Sequence, residues 1–293
     1  MLFNKVEPKN LGGGVILFEK CLELDWDYLI QKSKTLIEEE WSEMYQLGVD
    51  PETNEEIYIN KSGYFFNKDS INLMPRRAGA IHTKDDLDLI NVLNFLEESK
   101  DKCLLQYFEL YPLAYKCVWW KVKGHILEYK KDVYLGSHSD ISADYIYGIL
   151  EPQDQLAIRN VITSLVYFND SVNSELDIKG DDYIGGSHYF NYLDIEYHPK
   201  RGDILMFPSN YMAAHEVRPV LQGYRYSYLG WYSQGTPNPD VHEYVADPIK
   251  QPELSEKATN VYMPTLRQDF QNYLKENGYS ENSGQYFITK SNY

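Results

Sequence analysis

His215-Glu216-Val217-Arg218-Pro219-Val220-Leu221-Gln222-Gly223-Tyr224-Arg225-Tyr226-Ser227 is the stretch on which the fold turns. It runs from an imidazole through a Pro and a Gly into an alternating aromatic segment. That pattern predicts two strands joined by a reversal. In the second strand Arg225, Ser227, Leu229 and Trp231 share one face, while Tyr224, Tyr226 and Tyr228 share the other. An Arg that shares a face with a Leu and a Trp points inward, and a buried Arg needs an anionic partner. The competing reading is an edge strand with Arg225 in solvent.

Further strands lie on either side of this stretch. Ile204 to Pro208 is an apolar strand after the turn Pro199-Lys200-Arg201-Gly202-Asp203. Val161 to Phe168 is strongly β-branched and apolar, and Ser187 to Phe190 is short and strand-like. Cys117 to Val122 and His125 to Tyr129 read as two strands, and Gly13 to Phe18 as another. Upstream, apolar residues at helical spacing predict helices over 22–40 and 84–111, the second begun by Thr83 or the Asp85-Asp86 pair. Asp50 to Asn54 is a turn, the segment from Asp140 to Arg159 has no period, and Leu266 to Gly278 is a last helix before a frayed tail of about a dozen residues. The fold class is therefore α+β and mainly β, with a sandwiched or closed unit such as a jelly roll flanked by N-terminal helices and a C-terminal helix. One domain is expected over 1–293: a helical support region at 1–116, the jelly-roll core at 117–234 and a C-terminal extension at 235–293.

Composition narrows the class. At 43% hydrophobic residues the 293-residue chain can bury a sizeable core. Its 44 acidic residues against 28 basic ones give a net charge of −16, which repels phosphate backbones, so no nucleic-acid partner is expected. Cys21, Cys103 and Cys117 form no CxxC pair and suit a reducing compartment. No apolar run is long enough to span a bilayer and the N-terminus has no signal-peptide pattern, so a cytoplasmic protein without a membrane partner is expected. Oligomeric state is not encoded in these features.

Chemistry enters with His138-Ser139-Asp140. On a strand the first and third of these residues point to one face and could grip one ion. Two His and one carboxylate on one face of an iron, with open positions opposite, make the facial arrangement of non-haem Fe(II) sites. His215 could complete it. Taken singly, His138 and Asp140 could equally sit on a surface loop, and His215 could simply satisfy a backbone carbonyl. His188 and His198 are expected at the surface or in turns, and Asp181-Asp182 in a solvated loop that could form a weak acidic rim.

The order His138-x-Asp140, then His215, then Arg225-x-Ser227 ten residues on, resembles the Fe(II)/2-oxoglutarate-dependent dioxygenases, and more closely their prolyl 4-hydroxylase-like branch. Gly185-Gly186-Ser187-His188-Tyr189-Phe190 is similar to that branch's Gly-Gly-x-x-x-Phe element, and Tyr167-Phe168-Asn169 to its Tyr-Leu-Asn strand end. The resemblance spans about Cys117 to Gln234. It implies a double-stranded β-helix, with His138, Asp140 and His215 as ligands of Fe(II). It implies Arg225 on the distal carboxylate of 2-oxoglutarate, assisted by Ser227, Tyr129 and Thr163. It also implies O2 as cosubstrate, ascorbate as a reductant, and release of succinate and CO2 as a C–H bond becomes an alcohol. The substrate implied is peptidyl proline, with a free amino acid or other small metabolite as the alternative.

Departures fall at the positions that serve the substrate. The family's Tyr three residues before the first His is Leu135 here, with Tyr134 one position off. Its Arg three before Thr163 is Asn160, with Arg159 one off, and its His two after Trp231 is Ser233. Trp231, Tyr134 and Arg159 are thus the candidate substrate contacts. Three rivals stay open: a cupin-type metalloprotein without 2-oxoglutarate, a nucleic-acid demethylase, and a non-catalytic binding module. An inward Arg225 argues against the first. Trp231, standing where demethylases carry a second Arg, argues against the second. An intact triad argues against the third.

Overall fold

The structure is a computed structural model and describes residues 1–61, 63–79, 86–141, 160–234, 245–246, 260–276, 279–281 and 288–290. Arg159, the rest of the aperiodic segment from 142 onward and Thr83 lie outside the described residues.

Two long helices form where the apolar spacing predicts them. Helix α1, Trp26–Met44, is capped by Asp25, whose carboxylate accepts from the Tyr28 backbone N–H at 3.0 Å. Leu29, Ile30, Leu36 and Ile37 form its buried stripe. Helix α2, Leu87–Leu110, is capped by Asp86, which accepts from Leu89 N–H at 3.0 Å. Leu22–Glu23, assigned above to the first helix, instead pairs with Leu2–Phe3 as a strand. Helix α4, Pro264–Glu276, packs Phe270 against Phe108 and Tyr115, the latter from the short helix α3, Pro112–Cys117.

Two of the sheets frame the interior. The major sheet runs, in spatial order, Lys9–Gly12, Val15–Phe18, Ile204–Pro208, Asn160–Tyr167, Arg225–Ser233, Trp120–Tyr129, Asn260–Tyr262 and Val245–Ala246. Arg76–Ala78 adds to the other half of Trp120–Tyr129. The minor sheet runs Leu135–His138, His215–Val217, His188–Phe190, Ile195–Tyr197. The protein is thus mainly β with flanking helices.

Alternation divides the major sheet cleanly. Tyr226, Tyr228 and Tyr232 face the helices and join the core built on Leu29, Leu93, Leu104 and Phe108. Their phenols find polar partners there: Tyr226 Oη donates to Glu128 at 2.7 Å and Tyr232 Oη to Asp101 at 2.9 Å. The opposite face carries Arg225, Ser227, Leu229 and Trp231 and looks toward the minor sheet, as the alternation predicts.

Several expectations are corrected. Cys117–Val122 and His125–Tyr129 are not two strands: Trp120–Tyr129 is continuous, and Cys117 ends α3. Gly124 explains the continuity, because the register shifts there and a Cβ would lie 2.2 Å from the Leu229 carbonyl. The region before residue 117 is not only helical support. It contains a three-stranded sheet, Tyr45–Val49, Glu56–Asn60 and Phe65–Asn67, and supplies strands to the major sheet. Near the C-terminus Tyr279–Glu281 pairs with Ile288–Lys290, so that stretch is not simply frayed. Asp181 and Asp182 form no free acidic rim, since they pair with Lys34 at 2.8 Å and Arg201 at 3.6 Å.

Behind the sheet a charged cluster is buried. The Lys100 ammonium lies 2.9 Å from Glu97, in space that Gly230 leaves by lacking a Cβ. Lys121 reaches Asp101 at 2.5 Å and Glu97 at 3.6 Å. Removing one member leaves an uncompensated charge, so Glu97→Ala should destabilise the fold by about 3–5 kcal/mol in urea unfolding. An effect below about 1 kcal/mol would show that water reaches the cluster.

Candidate metal and anion site

His138 ends one minor-sheet strand and His215 begins the next, and the two are direct cross-strand partners. Their rings stand 4.4 Å apart, and His138 Nε2 is 3.5 Å from Asp140 Oδ1. One ligand atom from each of the three residues lies within 4.8 Å of the others. This is the one such three-residue group among the described residues.

Both imidazoles are oriented by backbone carbonyls. His138 Nδ1 lies 2.8 Å from Gly136 O, and His215 Nδ1 lies 3.1 Å from Ala213 O. A carbonyl can only accept, so each Nδ1 carries the proton and each Nε2 lone pair is left for a ligand. Burial holds the His215 imidazole below its ordinary pKa, so it is neutral near pH 7. Burial pulls His138 down too, but Asp140 beside it more than reverses that.

Asp140 is fixed from across the sandwich. Thr163, on the major-sheet strand Asn160–Tyr167, donates to Asp140 Oδ2 at 2.5 Å, and Ser209 Oγ meets Thr163 Oγ1 at 2.9 Å. Asn160 Nδ2 donates to the Asp140 carbonyl at 3.1 Å, and Asn160 Oδ1 accepts from Ser233 at 2.8 Å. Burial raises the Asp140 carboxyl, but the bonds from His138 and Thr163 and the nearby imidazoles outweigh it and hold the group at about 2. Thr163, assigned above to the cosubstrate carboxylate, is thus engaged with Asp140. Asn160 and Ser233, read above as altered substrate positions, are buried and bonded to each other.

Deeper between the sheets lies Arg225, 1% exposed. Its guanidinium sits over the Tyr129 ring at 4.7 Å and the Tyr167 ring at 5.4 Å. None of its three side-chain nitrogens has a hydrogen-bond partner, and the buried hydroxyls of Ser227 and Tyr183 have none either. Gly186 makes room for the Arg stem: at φ +61°, a Cβ there would lie 2.9 Å from Tyr183 and 3.2 Å from Arg225 Cδ. Unsatisfied buried donors around a fixed cation are a receptor for a carboxylate. The donor set fits a ferrous ion and a dicarboxylic 2-oxo acid: two imidazole nitrogens and a carboxylate beside a buried, unpaired guanidinium.

A cavity of about 410 Å³ opens onto this site, lined by His125, Leu127, Tyr129, Leu135, His138, Asp140, Leu229 and Trp231 and, from the N-terminal region, by Trp41, Met44, Tyr45 and Met74 to Arg77. A larger depression of about 620 Å³ on the outside of α1 shares no residue with the triad. Trp231 lies on the cavity wall as expected, its indole N–H buried without a partner. Tyr134 does not. Leu135, the first residue of its strand, lines the cavity, while Tyr134 just before the strand is 48% exposed. His188 is no surface residue: it is 1% exposed and stacks on the His215 ring at 4.7 Å. The alternation of His188 and Phe190 on one inward face could have revealed this. The orienting carbonyls of Gly136 and Ala213 carry no such signal, because every residue type offers one.

Residues 124–233 match the family model of the 2OG-Fe(II) oxygenase superfamily. No curated protein matches the chain in sequence. Among solved structures, similarity is found to the viral collagen prolyl hydroxylase of Paramecium Bursaria Chlorella virus-1 in its 2OG complex. The identity is 15%, over 77% of this chain and 98% of that one, with a TM-score of 0.44. A Trichoplax adhaerens prolyl hydroxylase bound to a hypoxia inducible factor peptide shares 15% identity over 76% of this chain and 84% of that one, TM-score 0.45. A Pseudomonas putida prolyl-4-hydroxylase shares 15% over 76% and 94%, TM-score 0.41. Structural likeness this low has no bearing on the substrate.

Thr163→Val should weaken Mn(II) binding by about 10- to 100-fold in calorimetric titration, because Asp140 loses its hydroxyl donor. Unchanged affinity would show that Asp140 is held without Thr163.

Proposed function

We propose that this chain, whose residues 124–233 match the 2OG-Fe(II) oxygenase family model, is a 2-oxoglutarate-dependent dioxygenase that hydroxylates an unactivated aliphatic C–H bond, releasing succinate and CO2. A prolyl ring, in a peptide or as a free amino acid, is the substrate class to try first. The family match supports the chemistry, and the two facing sheets support reading the core as a double-stranded β-helix. The single observation that carries the reading is Arg225, a buried cation with no anion beside it among the described residues.

In this reading His138, Asp140 and His215 hold Fe(II) through the two Nε2 atoms and the carboxylate. Arg225 and Ser227 hold the distal carboxylate of 2-oxoglutarate. Iron, 2-oxoglutarate and O2 together supply the oxidant. The chain's own residues bind, orient and exclude water. Tyr129 and Tyr167 shield the guanidinium and keep its surroundings at low dielectric, so its attraction for a carboxylate is undiminished. Tyr183 is a further donor on the same side, packed in one cluster with Tyr129 and Val220. Thr163 acts on the metal side, steadying Asp140 so that one oxygen stays aimed at the ion. No side chain is required as a nucleophile or general base. The cavity wall of Trp41, Met74, Leu135 and Trp231 offers apolar surface against which an aliphatic ring can rest.

Arg225→Ala should reduce 2-oxoglutarate affinity of the Mn(II)-loaded protein by at least about 100-fold, since removing one partner of a buried charge pair costs about 3 kcal/mol or more. Unchanged affinity would exclude Arg225 as the cosubstrate residue and favour a metalloprotein that does not use 2-oxoglutarate. With Fe(II), 2-oxoglutarate and O2 the native protein should form succinate and CO2 and add one oxygen atom to its substrate, seen by mass spectrometry.

A further inference from the structure

The edge strand Arg76–Ala78 holds two adjacent arginines with opposite fates. Arg76 pairs across the strand with Glu128 and turns to the helix side. There its guanidinium meets Glu38 at 2.8 Å and Glu128 at 3.4 Å and lies over the Trp41 ring at 4.7 Å. Ala78 is fully buried on that same side. With both flanking residues so fixed, strand alternation sends Arg77 to the opposite face, beside Leu127, and there it lines the cavity with His138, Asp140 and Trp231. Among the described residues Arg77 makes no ion pair and no side-chain hydrogen bond.

The charges on the cavity wall can therefore be enumerated. Arg76 is neutralised twice. His138 and Asp140 belong to the proposed metal site. Among the described charged residues of the wall Arg77 alone is uncommitted, in surroundings otherwise rich in Trp, Met and Leu and on a chain of net charge −16. Arg225 already serves the cosubstrate end, so a second cation near the mouth has a different ligand to serve.

We propose that Arg77 anchors a carboxylate on the substrate, so that the molecule hydroxylated is an apolar body bearing one anionic group close to the carbon attacked. This rests on the oxygenase reading above and narrows its substrate class. The carboxylate could belong to a small free acid or to an acidic side chain beside the target residue of a peptide. Arginine suits either, because its planar fork binds a carboxylate through two parallel hydrogen bonds.

The test uses the full chain loaded with Mn(II) and 2-oxoglutarate. Two probe pairs are titrated calorimetrically: N-acetyl-L-proline against N-acetyl-L-prolinamide, and a short capped peptide with glutamate beside proline against its glutamine counterpart. The acid of at least one pair should bind about tenfold or more tighter than its neutral partner. The pair that shows the difference identifies the source of the carboxylate. Arg77→Met should abolish the difference, Arg77→Lys should keep part of it, and neither should alter 2-oxoglutarate affinity. Equal binding within both pairs, no detectable binding of either acid, or a preference that survives Arg77→Met would overturn the proposal. Failure of the native protein to bind 2-oxoglutarate would instead sink the oxygenase reading, so the two outcomes are distinct.

Discussion

A guanidinium buried without an anion among the described residues is the constraint around which this structure is arranged. Desolvating such a cation costs several kcal/mol, and the faces of Tyr129 and Tyr167 offset only part of that. A folded chain would replace Arg225 with Leu or Met if only packing mattered. The surrounding residues accommodate it instead. Gly186 clears space for its stem, Ser227 and Tyr183 add donors without partners, and the helix-facing tyrosines on the same strand form a rigid backing. In the proposed reading its counter-charge is the distal carboxylate of 2-oxoglutarate.

The two sheets divide the work. The minor sheet carries the imidazoles, each locked by a carbonyl two residues before it. The major sheet carries the buried Arg225 and, through Thr163 and Asn160, reaches across to hold Asp140. The proposed metal and cosubstrate sites are therefore coupled through one strand, Asn160–Tyr167, rather than through a loop that could drift. The N-terminal region adds the third wall, where Trp41 and the Arg76–Ala78 strand bound the cavity.

Much of this was legible in the chain. The period of two from Arg225 to Trp231 gave both the strand and the inward Arg, and the resemblance to the 2-oxoglutarate dioxygenases pointed to His138, Asp140 and His215, which do converge. What escaped reading depended on contacts between distant segments. Thr163 could be seen as a polar residue on an apolar strand, but its partner Asp140 becomes visible only when the sheets pack. His188 lay on an alternating face too short to stand out. Tyr134 stands just before the strand that begins at Leu135, and its side chain is left in solvent. The strands between Tyr45 and Asn67 are short and mix polar with apolar residues, so no period announced them. Arg77 was hidden for the same reason: its direction is set by Arg76 and Ala78 docking onto Trp120–Tyr129.

The most direct test is an anaerobic crystal structure of the protein grown with Mn(II) and 2-oxoglutarate, using the anomalous signal of the metal. The account requires the Mn(II) peak at bonding distance from His138 Nε2, His215 Nε2 and an Asp140 oxygen. It also requires the distal carboxylate of 2-oxoglutarate within hydrogen-bond reach of the Arg225 guanidinium. A metal bound elsewhere, or a 2-oxoglutarate carboxylate that leaves Arg225 unpaired, would contradict it.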